Sequence, residues 1–311
     1  MTSDIMETMQ TSCLAQTPSS SARRKFGRFK KDKPNVLRSI STVARETAAT
    51  EQLKRLWRRH PLQSINQLLL GTSYVDEVAA SVASQNYSAK DVEHFSLLLF
   101  EFQDEKNFSE KAGVFLTALI ENGKEDDFVI HTSTLAVPIQ GLAKGNTKNV
   151  LIKGDIGSHT AKNMKKGKVI IKGDEEGYAG LKMTGGDIVI LGDAGEVIGW
   201  EMKNGSITVH GNAGWNVGTE MKGGEILVYG NVGIFTGRSM QGGRIMVKGN
   251  AGDFTGEDMH GGLIDIAGNS TCVIGRGMTG GEIHVGGEYH ILEFMVEGGR
   301  IYHQGELVLE K

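Results

Sequence analysis

Three patterns of apolar and polar positions follow one another along the chain. Residues 1–46 have no periodicity; Ser, Thr, Lys and Arg dominate, and 22–33 (ARRKFGRFKKDK) carries seven basic residues and two phenylalanines. Such a stretch cannot bury enough apolar surface to fold alone, so a disordered basic tail is expected, with RNA or an acidic partner as the ligand its charge suits. From 47 to 123 the spacing is that of a small helical domain. A first helix over 47–58 is ended by the His60-Pro61 step, because a residue before proline avoids the helical conformation. A second is expected over 62–70, stopped at Gly71. Ser73 is a candidate cap for a third, with Val75, Val78, Ala79 and Val82 as its apolar stripe. Ser88 precedes a fourth helix (Val92, Phe95, Leu98, Leu99, Phe102) and Ser109 a fifth (Phe115, Leu116, Leu119, Ile120), with Gly123 at its C-terminal end. Residues 124–144 are expected to be a linker.

From 145 to 311 the period becomes 19 residues. Methionine recurs at 164, 183, 202, 221, 240, 259 and 278 without a break. Three glycine series keep the same spacing, beginning at Gly154, Gly167 and Gly180, and a β-branched pair recurs from Val150/Ile152 to Ile283/Val285. So many glycines disfavour helix by roughly 1 kcal/mol each, whereas the alternation in 225–229 (EILVY) places Ile226 and Val228 on one face of a strand. Short strands joined by glycine corners at fixed period stack in register. The expected fold is a mainly β, right-handed parallel β-helix of about eight coils, preceded by the helical domain and the tail. In it the methionines form an internal ladder. The row Asp155, Asp174, Asp193, Asn212, Asn231, Asn250, Asn269 is read as turn residues bonding their own backbone. The last coil is irregular and is expected to be a cap, with Leu307 and Leu309 closing the core.

The recurring M-x-G-G-x-I-x-V-x-G-[DN]-x-G-x-x-x-G pattern, as in 221–237 (MKGGEILVYGNVGIFTG), resembles the GXGXG β-helix. That domain occurs as the β-helical component of formylmethanofuran dehydrogenase, in the related formyltransferase/hydrolase complex, and at the C-terminus of the large glutamate synthase chain. The resemblance covers about half the chain. It implies a part in an enzyme complex whose metals and clusters sit elsewhere, and it carries over no catalytic residue.

Composition adds limits. Net charge is −3, which gives no overall attraction to nucleic acid or acidic membranes. No apolar run is long enough for a membrane span, and the N-terminus lacks the basic and apolar regions of a secretory signal, so a cytoplasmic location is expected. The two cysteines, Cys13 and Cys272, fit a reducing compartment and supply no thiolate site. No catalytic, cofactor-binding or metal residue is assigned. His284, His290 and His303 with Glu288 and Glu293 form the one cluster considered for a metal, and solvent-facing cap residues are the expected reading. A carbohydrate-active β-helix would need carboxylates and aromatics along a groove, and only 6% of this chain is aromatic.

One feature points outward. The residue between each β-branched pair should leave the core: Leu151, Ile170, Val189, Thr208, Leu227 and Met246, then Asp265 and His284. An apolar strip of this length marks an interface. Leu151, Ile170, Val189, Leu227 and Met246 are the candidate interface residues, to be covered by the helical domain or by another subunit. The chain is thus read as a non-catalytic scaffold or assembly subunit with protein partners. A component of an oxidoreductase complex and a nucleic-acid-associated protein are the alternatives.

Overall fold

The computed structural model describes residues 47–67, 73–271 and 273–311. The expected basic tail with its 22–33 segment, Cys13, Cys272 and part of the expected second helix lie outside the described residues.

Four helices open the described fold. Helix α1 (Ala48–Arg59) begins at Thr47, whose Oγ1 accepts the Thr50 N–H at 3.1 Å, while Thr50 Oγ1 accepts the Thr47 N–H at 2.7 Å. Helix α2 covers Ser73–Ala83. Helix α3 (Ala89–Leu98) carries the same reciprocal cap between Ser88 and Asp91 and tightens into a 3₁₀ turn, Leu99–Phe102. Helix α4 runs over Phe108–Asn122. Its cap is Asn107, in a left-handed conformation without a side-chain bond, so the expected cap Ser109 lies inside the helix. Gly123 is extended (φ −64°, ψ 147°) rather than left-handed and leads straight toward a strand. Residues 62–64, the start of the expected second helix, are irregular, whereas 66 and 67 are helical. Pro61 supplies no backbone donor there. Trp57 centres this unit, fully buried with the rings of Phe95, Phe102, Phe108 and Phe115 at 5.4–6.2 Å. The ammonium of buried Lys111 lies 4.0 Å from the Trp57 ring centroid and 2.8 Å from Glu105.

The rest is a parallel β-helix of about nine turns. Its main sheet stacks β1 (Asp127–His131), β2 (Asn149–Lys153), β3 (Lys168–Ile171), β5 (Asp187–Ile190), β7 (Ser206–Val209), β8 (Glu225–Val228), β9 (Arg244–Val247), β10 (Leu263–Ile266), β11 (Thr279–Val285) and β12 (Gly298–His303) in sequence order. Strand β13 (Glu306–Glu310) returns antiparallel to β12, and β4 (Glu175–Gly177) pairs with β6 (Ala194–Glu196) in a second, short sheet. From β3 through β11 the register advances by one repeat per strand, so each side chain lies above its equivalent, as Ile226 does beneath Ile245. All seven methionines, Met164 to Met278, are fully buried.

The segment expected as a linker supplies an additional coil. Strand β1 pairs with β2 from Asp127↔Asn149 to His131↔Lys153, but the step is 22 residues and lacks the glycine pair. Asn146 takes the methionine position, since its carbonyl accepts the Lys165 N–H as Met164 accepts that of Thr184. The expected closing pair at the other end divides: Leu309 packs against the core opposite Ile301, whereas Leu307 lies opposite outward-facing Tyr302 and is 48% exposed.

One of the repeated positions works differently from the expectation. The Asp/Asn row does not bond its own backbone. Each Oδ1 accepts the N–H of the equivalent residue one coil on, at 2.8–2.9 Å, from Asp155 to Asp174 through to Asn269 and Glu288. The glycine before each of these residues is correspondingly crowded. Gly230 does not have a positive φ; a Cβ there would lie 2.5 Å from Gly211 O and 2.7 Å from Asn212 Oδ1. Gly224, by contrast, is left-handed (φ +88°), and a Cβ on it would meet Met202 Cε at 2.7 Å. The methionine methyl of one coil thus occupies the space that the next glycine leaves open.

Candidate interaction surface

Strand alternation decides what the main sheet shows. In β5 and β8 the pattern is exposed, buried, half-buried, buried, so Ile188, Ile190, Ile226 and Val228 enter the core and Val189 and Leu227 face out. Leu151, Ile170, Val189, Leu227 and Met246 are all half-buried in one column. Val129 of β1 extends this column at one end, and Asp265, His284, Tyr302 and Leu307 continue it at the other. Each side chain is partly covered by its neighbours one strand spacing away, so the strip exposes less than five isolated side chains would. A second column, one residue further along the strands, adds to it. Leu191 is 46% and Tyr229 49% exposed, with the His210 ring stacked 5.0 Å from Tyr229. Both follow the last buried residue of a strand, where the outward alternation extends one position further.

Lysines border the strip at its β1-proximal end. Residues 144–182 hold nine lysines and no arginine, against four acidic residues. Lys168 and Lys172 flank Ile170 on the same face, both exposed, and neither they nor Lys165 and Lys166 have a described carboxylate within ion-pair distance. The opposite end is acidic: 282–310 contains six glutamates and one arginine.

The helices do not lie along this strip. They pack on the end of the sheet, where α3 meets β1. Ser96 Oγ accepts the His131 N–H at 3.0 Å, and Glu93 contacts His131 at 3.0 Å and Lys153 at 3.7 Å. Burial pushes the Glu93 carboxyl up, but hydrogen bonds from Lys90 and His131 and the charges of Lys90 and Lys153 outweigh it and hold it at about 2.

A corner of the coil makes a second outward patch. Tyr178, Val197, Phe235 and Phe254 repeat at one position with φ of 59–63°, unfavourable for such side chains. Phe235 and Phe254 stack at 5.4 Å, and Glu257 bridges Arg238 and Arg276 at 3.2 and 3.4 Å beside them.

The histidine cluster is not assembled into a site. His284 contacts Glu282 at 3.3 Å and Tyr302, whereas His303 packs on Tyr289 and shares with His290 a shallow depression of about 450 Å³. Among the described residues no group of three or more His, Cys, Asp or Glu side chains could hold a metal. Among the described residues Glu175 is the one acid turned into the core, fully buried in a column between Ile156 and Ala194. Neither carboxyl oxygen has a hydrogen-bond partner of good geometry, and burial pushes its pKa well above the ordinary range. No described helix is long and apolar enough to cross a membrane. Compared with protein-family models and with curated proteins, the chain matches none.

Proposed function

We propose that this chain is an assembly subunit whose β-helix presents the outward face of its main sheet to partner proteins and which performs no chemistry of its own. The observation that carries this reading is the strip from Leu151 to Met246, half-exposed, bordered by lysines and left open by the helices at the end of the sheet. A rigid stacked sheet suits the role, because its face is pre-organised and little conformational entropy is lost when a partner docks. The apolar column supplies burial, and the bordering charges set orientation.

The 19-residue glycine, methionine and Asp/Asn repeat favours one more specific version. In it the chain is the β-helical component of an oxidoreductase complex of the formylmethanofuran dehydrogenase or glutamate synthase kind, acting in the cytoplasm. Purification of the tagged full chain from its native source tests both. A stoichiometric partner is expected with the parent and should be absent with Val189→Glu/Leu227→Glu. A molybdopterin-dependent or amidotransferase subunit among the partners would support the specific version. Retention of every partner by the double variant would remove this face as the interface.

A further inference from the structure

Away from the sheet face, three lysines converge on one corner of the first coils. Ala143, Ala161 and Gly180 take the same left-handed conformation in successive coils (φ 62°, 56° and 67°). Gly145, Asn163 and Lys182 take it two residues later (φ 71°, 57° and 57°). The cross-coil hydrogen bonds follow the same register: Gly145 N–H donates to Lys162 O at 2.7 Å, and Asn163 N–H to Leu181 O at 2.8 Å. Lys144, Lys162 and Leu181 are therefore equivalent positions, and Lys144 lies one coil, about 4.8 Å, from Lys162. Lys182 follows Leu181 one coil beyond Lys162, in the column of Gly145 and Asn163. Lys182 pairs with Glu201 at 3.0 Å, but neither Lys144 nor Lys162 has a described carboxylate within ion-pair distance. Lys162 is half-buried, and its ammonium pKa is lowered by burial first and then by the charges of Lys144 and Lys182. On the same coil, the His159 ring stacks on Tyr178 at 4.6 Å and its Nδ1 lies 2.9 Å from Ser158 Oγ. Burial and the Lys162 charge lower the His159 pKa as well.

We propose that this corner binds a compact phosphate anion of the pyrophosphate kind, held by Lys144, Lys162 and Lys182. The site is independent of the assembly face. Like charges stacked one coil apart repel, and a bound anion turns that repulsion into attraction. Two ammonium groups at this spacing can both reach oxygens of one phosphate, and a second phosphate extends toward Lys182. Lysine suits such a ligand, because it acts as a point charge without the planar fork with which arginine selects carboxylates. The length of the positive stretch separates a compact anion from a nucleic-acid strand. It spans three coils, roughly 10 Å from first to last, and the column of Lys182 then continues with Glu201 and Glu220. A phosphodiester backbone running along the column would meet those carboxylates, whereas a pyrophosphate stays short of them. A free oligophosphate and the phosphates of a nucleotide share this chemistry.

Calorimetric titration of the full chain with pyrophosphate, at about 20 mM salt to limit screening, tests the site. The parent should bind one equivalent, and K144Q/K162Q should bind about tenfold more weakly or not at all. K222Q/K248Q removes the same charge from two other exposed lysines and should bind like the parent. Pyrophosphate at about 10 mM should raise the melting temperature of the parent and of K222Q/K248Q but not of K144Q/K162Q. If K144Q/K162Q fails to fold, the parent alone still decides. Its His159 imidazole, followed by NMR, should titrate at higher pH once pyrophosphate is bound, because an anion beside it favours the charged ring. Tripolyphosphate and ATP, titrated in parallel, distinguish the sources: equal affinity assigns a free oligophosphate, and tighter binding of ATP assigns a nucleotide. Absence of binding by the parent, equal weakening by the two double variants, or an unmoved His159 titration would each overturn the proposal. So would binding of single-stranded RNA that pyrophosphate does not displace.

Discussion

Asn212 and Gly230 show how single positions specify this stack. Asn212 Oδ1 accepts the Asn231 N–H at 2.9 Å, and the oxygen fits there because Gly230 has no Cβ. Gly230→Val should therefore destabilise by well over the ~1 kcal/mol typical of a point change, through overlap with the coil below. A thermal melt unchanged from the parent would contradict this. The glycine was legible in the sequence, but its cause was not: a 19-residue recurrence marks a corner without distinguishing a left-handed φ, as at Gly224, from a close approach, as at Gly230. Glu175 was invisible for a related reason. Its column otherwise holds Ile156, Ala194, Ala213, Val232, Ala251 and Ser270, and only the stacked structure shows it pointing inward. A carboxyl whose folded pKa is raised binds its proton more tightly when folded. Its stabilisation is complete below the unfolded carboxylate pKa and is lost as pH rises through that range to the folded value, then levels off. Denaturation of Glu175→Gln and the parent from pH 4 to 8 should show the parent losing stability relative to the variant as pH rises. Parallel curves would contradict the buried acid. Glu176, also raised by burial, is present in both proteins and cancels.

Elements whose local signals agreed were readable; those that relied on tertiary partners were not. Thr47 and Ser88 carry side-chain caps and begin helices where the sequence placed them. The helix expected over 62–70 had only an apolar pattern; its start at 62–64 is irregular, and 66 and 67 are helical. Strand β1 was missed because its coil lacks methionine and the glycine pair. Its alternation in Asp127-Phe128-Val129-Ile130-His131 matches Asn149-Val150-Leu151-Ile152-Lys153, and that was the available signal. At the other end, β12 and β13 finish the sheet with a bulged antiparallel pair, in which Leu309 covers the last coil beside Ile301. Truncation after Gly287 would bare the edge of β11 and the undersides of Ile283 and Val285. The product should aggregate on light scattering. A soluble monomer with an unchanged melt would show that the terminal hairpin does not protect the stack.

For the whole molecule, the helices close one end of the β-helix, the β12–β13 hairpin closes the other, and the sheet face between them is left for contact. The outward column was legible because strand alternation leaves no choice about Leu151 or Leu227. Its borders were not. The separation of lysines from glutamates along the face emerges only when coils 19 residues apart are laid side by side. The measurement that bears most directly on the assembly reading is denaturant unfolding of Val189→Glu/Leu227→Glu, run beside partner recovery from the native source. Both side chains face out and are half-exposed. The variant should therefore unfold within about 1 kcal/mol of the parent while losing its partners. A loss of several kcal/mol would place these residues in the fold's own core, and full partner recovery would show that the face is not used; either result would contradict the account.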